Sequence, residues 1–98
     1  MIQVRDIFQL KFGKAKEAKA LWKEMRALES KFGHGHGKAL VDITGPYYTL
    51  VMEHTYANLS AYEKALNDTL GAAEFGEWYK RFVPLVESGK REIFTVVE

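Results

Sequence analysis

The stretch KFGHGHGKAL, Lys31 to Leu40, sets His34 and His36 between Gly33, Gly35 and Gly37. Imidazole is the commonest side-chain ligand for a transition metal, so the spacing raises a metal site as the first possibility. Such sites take three or four ligands converging at about 2.0 to 2.3 Å. These two histidines supply only part of a set, the one other histidine is His54, and the chain has no cysteine. In an extended segment the two rings would point the same way, yet three glycines leave the backbone free and make such an arrangement entropically costly. The segment is therefore read as a glycine-rich turn from helix to strand with exposed imidazoles. No metal and no cofactor is called for, and nickel or zinc would bind adventitiously at most. A phosphate cradle fails on order, since phosphate loops run from a strand into a helix N-terminus. Here the glycines follow a helical pattern and open a strand.

Two other groups of residues carry chemistry. Asp6 and His54 are the acid–imidazole pair that the topology inferred below can bring together inside the fold. As cross-strand partners, the carboxylate would fix the imidazole's tautomer and favour its protonated form, giving a general acid/base. The structural alternative is a polar contact that only specifies strand register. The second group is aromatic: Trp22, Tyr48, Tyr56, Tyr62, Trp78 and Tyr79, several on faces expected to point between sheet and helices. Aromatics at helical spacing make core, but buried hydroxyls and indole N–H groups need partners. An apolar hollow with a few polar groups is also the form of a small-ligand site. No G-x-S-x-G elbow occurs, so Ser/His/Asp catalysis has no supporting motif.

The elements that must position these residues follow from periodicity. From Ile2 to Phe12 apolar residues alternate, with Ile2, Val4, Phe8, Leu10 and Phe12 on one face, as in a half-buried strand. After Gly13, the residues Ala18, Leu21, Trp22, Met25, Leu28 and Phe32 recur at spacings of three and four and predict a helix stopped at Gly33. Lys38 to Thr44 and Tyr47 to Tyr56, flanking Gly45-Pro46, read as a hairpin. A second helix starts at Asn58 or Ser60, the latter with a Ser60-Ala61-Tyr62-Glu63 capping box, and buries Leu59, Tyr62, Leu66 and Leu70. Gly71 interrupts it, and a further helical pattern through Phe75, Trp78, Tyr79 and Phe82 ends near Pro84. Ser88-Gly89 turns the chain into a last strand, Arg91 to Val97.

The order β-α-β-β-α-(α)-β is the α+β ferredoxin-like split arrangement, a four-stranded antiparallel sheet with helices on one face. Right-handed crossovers set the strand order 4-1-3-2. The helix-free face is expected to carry Ile7, Leu40, Val51, Ile93, Thr95 and Val97 among Gln3, Arg5, Asp42, Thr49 and Glu53. That mixture suits a homodimer in which two sheets meet.

Composition narrows the partners. A chain of 98 residues without linker or repeat is one domain, residues 1–98. Fourteen basic against thirteen acidic residues, a formal net charge of +1, give no electrostatic case for nucleic acid. Lys11, Lys14, Lys16, Lys19 and Lys23 are interspersed with or followed by Glu17, Glu24 and Glu29, as on a solvated helix face. No apolar run approaches the roughly 20 residues of a membrane span. The opening MIQVRDIFQL lacks a secretory pattern, so a cytoplasmic protein is expected.

The segments VRDIFQLKFGKAKEAKAL, and YANLSAYEKALNDTL followed by EFGEWYKRFVPLVESGKREIF, resemble NIPSNAP-like members of the dimeric α/β-barrel superfamily. That superfamily also holds cofactor-free antibiotic-biosynthesis monooxygenases. The likeness lies in strand-opening apolar residues, the helix cap and the Glu-Ser-Gly turn. It implies two ferredoxin-like protomers packed sheet to sheet into a dimeric α/β barrel, with a cavity between each sheet and its own helices, and it transfers no functional residue. Three functions are compatible with this reading. One is a homodimer that binds a small aromatic or acyl ligand in that cavity. Another is a cofactor-independent monooxygenase or isomerase-like enzyme in which a buried acid/base takes a proton from an activated carbon. The third is a protein-interaction module.

Overall fold

Alternation and helical spacing resolve into eight elements in the computed structural model, which describes residues 1–34 and 37–98. They are β1 (Ile2–Leu10), α1 (Ala15–Glu29), β2 (Gly37–Val41), β3 (Thr49–Tyr56), α2 (Leu59–Leu70), α3 (Ala73–Phe82), a 3-10 turn (Val83–Leu85) and β4 (Val86–Thr95). The sheet is antiparallel throughout with order β2-β3-β1-β4, the order expected from right-handed crossovers. The fold is α+β and ferredoxin-like. No helix among the described residues is long and apolar enough to cross a membrane.

Helix ends follow local chemistry. Ala18, Leu21, Trp22 and Met25 form the buried stripe of α1, and Glu29 continues it as the last helical residue. The helix stops there rather than at Phe32. Tightened bonds from Lys31 N–H to Leu28 O and from Phe32 N–H to Glu29 O lead into Gly33 at φ 76°, a left-handed conformation suited to glycine. In α2 the side chain of Asn58 accepts the Ala61 N–H at 2.9 Å. With Asn58 at the cap, Ser60 falls inside the first turn and the Ser60–Glu63 box does not form. The buried face of α2 is Tyr62, Ala65 and Thr69, while Leu59 and Leu70 are exposed.

The last strand differs most from expectation. It begins at Val86, so Ser88-Gly89 is no turn but lies within β4, opposite Gln9 and Phe8. Glycine is needed there because the Phe8 ring covers it: a Cβ on Gly89 would meet Phe8 Cδ1 at 2.9 Å. A bulge follows, with Gln9 opposite Ser88 but Leu10 opposite Val86. This register places Ile93 beside Val4 and Thr95 beside Ile2, on the helix-covered face and not on the open one. Val97 lies beyond the strands. The open face instead presents Phe94, with the Arg5 guanidinium 5.5 Å from its ring centre, together with Ile7, Val51 and Leu40. Glu53 is buried on this face between Arg5 at 2.6 Å and Lys38 at 3.6 Å.

Beneath the helices lie two contiguous apolar clusters. The larger joins Leu10, Leu21, Met25, Leu50, Trp78 and Phe82 among others, and the smaller joins Val4, Tyr56, Tyr62 and Ala65. Trp78 is stacked on Phe82 with ring centres 4.7 Å apart, and its indole N–H donates to Leu21 O at 2.7 Å. That bond ties α3 to α1. Between the two clusters the packing leaves a hollow.

Candidate functional site

The hollow is a cavity of about 150 Å³ between the helix side of the sheet and the three α-helices. Its floor includes Asp6 and Met52, its apolar wall includes Phe75, Trp78 and Phe82, and Tyr79 sits half-exposed on its lining. Of the aromatic set read from sequence, Tyr56, Tyr62, Trp78 and Tyr79 line it. Trp22 and Tyr48 do not. Trp22 is core, edge-on to the His54 ring at 5.9 Å, and Tyr48 sits in the turn before β3 against Phe12, 5.2 Å between ring centres.

Asp6 and His54 both face the cavity, but they are not cross-strand partners. Asp6 lies opposite Met52, and Val4 lies opposite His54. The expected pairing is off by two residues, a slip that leaves every side chain on its expected face while changing each one's neighbour. Asp6 instead accepts from Arg91 Nε at 2.6 Å, directly across β4.

His54 has a different acid. Its Nε2 lies 2.8 Å from Glu29 Oε2, with both side chains almost wholly buried, although the contact is not aligned as a hydrogen bond. The ring reaches this position by lying across Gly37 on β2, where a Cβ would stand 2.4 Å from Nε2. Gly37 of the GHGHG run is thus a space requirement of the site. Sequence reasoning passed over Glu29 as a surface charge. Its signal was present, because Glu29 follows Ala18, Trp22 and Met25 at spacings of four, three and four along the apolar stripe, where a carboxylate needs a buried partner.

His34 corrects a second expectation. It is not an exposed turn imidazole, for Nδ1 lies 2.6 Å from the Tyr56 hydroxyl and Nε2 lies 2.5 Å from Thr69 Oγ1. His36 lies outside the described residues. The network assigns every proton. Thr69 donates its one hydroxyl hydrogen back to Ala65 O at 2.8 Å, so Oγ1 must accept from His34 Nε2–H. Nδ1 then carries the lone pair and accepts from Tyr56 O–H. His34 is held as one neutral tautomer, and its segment is tied to both β3 and α2. Among the described residues, no group of three metal-binding side chains converges.

Electrostatics agree with the geometry. Burial holds His34 below the usual imidazole range; the Glu29 charge opposes this, His54 adds to it and Asp6 opposes it. Burial also pushes the Tyr56 phenol well up, helped by Glu29, Tyr62 and Asp6 and opposed by Arg91. Because folding lowers the proton affinity of His34, its contribution to stability is complete above about pH 6.5 and is lost as pH falls through the folded value. Thermal unfolding is therefore expected at lower temperature at pH 5.5 than at pH 7.5. His34→Gln, whose amide offers both an acceptor and a donor, should flatten that dependence. An unaltered pH slope in the folded variant would contradict the network.

Comparison with known proteins locates this architecture. No protein-family model matches the chain, and no curated protein matches it by sequence. Solved structures do match in three dimensions. A NIPSNAP family protein from Agrobacterium tumefaciens strain C58 is 19% identical with a TM-score of 0.91, over 99% of this chain and 93% of that one. A NIPSNAP-like domain protein from Burkholderia xenovorans is 18% identical with a TM-score of 0.87, over 98% and 84%. SnoaB, a cofactor-independent oxygenase from Streptomyces nogalater, is 14% identical with a TM-score of 0.76, over 99% and 93%. At these identities the likeness is one of fold, and it is the fold to which the sequence resemblance pointed.

Proposed function

We propose that this chain is a homodimeric, cytoplasmic protein that binds a small aromatic or acyl ligand in the cavity between its sheet and its helices. The observation that carries this reading is the cavity itself: aromatic on one wall, ionisable on the other, and left open by an otherwise dense core. Its volume of about 150 Å³ matches one aromatic ring or a short acyl segment. The absence of cysteine fits a reducing compartment.

A second reading has its own observation. A buried carboxylate 2.8 Å from a buried imidazole is an acid/base pair within reach of anything in the cavity, as a cofactor-independent enzyme requires. The cofactor-independent oxygenase SnoaB shares this fold, and analogy of fold does not transfer chemistry.

Dimerisation is supported by the open sheet face. Leu40 and Phe94 are nearly half exposed there, beside Ile7 and Val51, within a ring of charges that includes Arg5, Lys38, Glu53 and Glu92. An apolar centre with a polar rim suits an isologous contact. Native mass spectrometry of gently purified protein tests both parts together, with a dimer carrying a retained small molecule as the expected species. A monomer, with no adduct and no change in tryptophan fluorescence on adding small aromatic compounds, would defeat the proposal. Val51→Lys is expected to give monomer or aggregate, as read by light scattering. A normal dimer in that variant would remove the sheet face as the interface.

A further inference from the structure

Hydrogen-bond capacity around the cavity is unevenly used, and the surplus identifies a ligand class. This inference rests on the cavity being a binding site. The Tyr56 hydroxyl, the His34 imidazole and the Thr69 hydroxyl are committed to one another and finally to Ala65 O. Both carboxylates facing the space have a close partner, Asp6 with Arg91 at 2.6 Å and Glu29 with His54 at 2.8 Å. What remains is a set of donors. Arg91 uses only Nε, and among the described residues its terminal nitrogens make no aligned hydrogen bond. The guanidinium stands 5.7 Å from the centre of the Tyr62 ring. The Tyr62 hydroxyl is shut off from water in a residue only 9% exposed; the Arg91 guanidinium lies beside it but not in aligned geometry, and as a donor it could reach only the phenol oxygen, so the hydroxyl hydrogen of Tyr62 is left without an acceptor. A buried hydroxyl left in that state is unfavourable unless a ligand satisfies it.

We infer that Arg91 and Tyr62 form a carboxylate-binding subsite, so that the ligand is a small aromatic or acyl acid with its carboxylate at β4 and its apolar part against Phe75 and Trp78. The planar guanidinium fork suits a carboxylate in paired hydrogen bonds, and the Tyr62 hydroxyl donates to the same group after a small shift of the ring. An ammonium ligand is disfavoured, because Arg91, the one Lys or Arg lining the cavity among the described residues, stands at this end and the two carboxylates are already engaged. The groups that set the local charge are Asp6, Glu29, Arg91, His34 and His54.

Titration calorimetry with phenylacetate, phenylacetamide and phenethylamine at pH 6.5 tests the assignment on the intact protein. The acid should bind at least about tenfold more tightly than the amide or the amine, a difference of about 1.4 kcal/mol. Tyr62→Phe, which keeps the ring, should weaken the acid several-fold and leave the amide unchanged. Arg91→Gln should abolish the preference, and its folding is checked by the circular dichroism of the variant. Equal affinity for acid and amide, unaltered in Tyr62→Phe, would overturn the subsite while leaving the cavity as a binding site. Preference for the amine would overturn it in favour of the Asp6 and Glu29 carboxylates. Binding of none of the three would remove both the subsite and the ligand-binding reading beneath it.

Discussion

His54→Leu is expected to destabilise the protein by about 3–5 kcal/mol at pH 7.5. The imidazole and the Glu29 carboxylate are 2.8 Å apart, with side chains 8% and 11% exposed. Leucine fills much of the space but removes the one close side-chain partner that Glu29 has among the described residues, leaving a buried carboxylate in the cavity wall with Met25 and without compensation. The isolated carboxyl can escape that cost by taking up a proton, so the deficit should shrink when the measurement is repeated at pH 5. Glu29→Leu combined with His54→Leu should recover much of the loss, since two apolar groups of similar volume leave no charge behind. Urea unfolding of the two single variants and the double variant gives the coupling directly. A single-variant loss below about 1 kcal/mol, identical at both pH values, would mean that Glu29 and His54 do not share a buried contact.

Trp78→Ala is expected to cost about 3–5 kcal/mol for a different reason. Its indole is 6% exposed, stacks on Phe82 at 4.7 Å and Phe75 at 5.9 Å, and donates to Leu21 O at 2.7 Å. Removal both enlarges the hollow beside it and unties α3 from α1. Trp78→Phe separates the two effects. It retains part of the stacking, loses the hydrogen bond and leaves a smaller void than alanine does, and because Leu21 O remains within the helical bonding of α1, the cost should be about 1–3 kcal/mol. If the phenylalanine variant were as unstable as the alanine variant, the indole hydrogen bond and not the packing would dominate.

The cavity owes its polarity to residues that serve no packing purpose by themselves. Glu29, His34, His54, Thr69 and Arg91 occupy positions that aliphatic side chains could fill with less electrostatic cost. Among them, His34 and Thr69 are held in place by the hydrogen-bond chain that runs from Tyr56 to Ala65. Such fixed groups around an apolar space are the physical basis for placing function there.

How much of this the chain declares before folding can be argued from particular elements. The alternation Ile2, Val4, Phe8, Leu10 and the stripe Ala18, Leu21, Trp22, Met25 identify β1 and α1, because burial of one face imposes periods of two and 3.6 on any sequence. Element order together with crossover handedness then determines the strand order. Residue type and face likewise placed Tyr56, Tyr62, Trp78 and Tyr79 at the cavity. Contacts between elements were decided only in three dimensions. Register is set by connection lengths and by the bulge at Gln9/Leu10, neither of which leaves a periodic trace, so Asp6 met Arg91 and His54 met Glu29. The same bulge and the absorption of Ser88-Gly89 into β4 exchanged Ile93 for Phe94 on the open face. His34 shows the limit most plainly. Two glycines beside it permit any direction of the backbone, and only the positions of Tyr56 and Thr69, 22 and 35 residues away, turn a turn residue into the centre of a hydrogen-bond network.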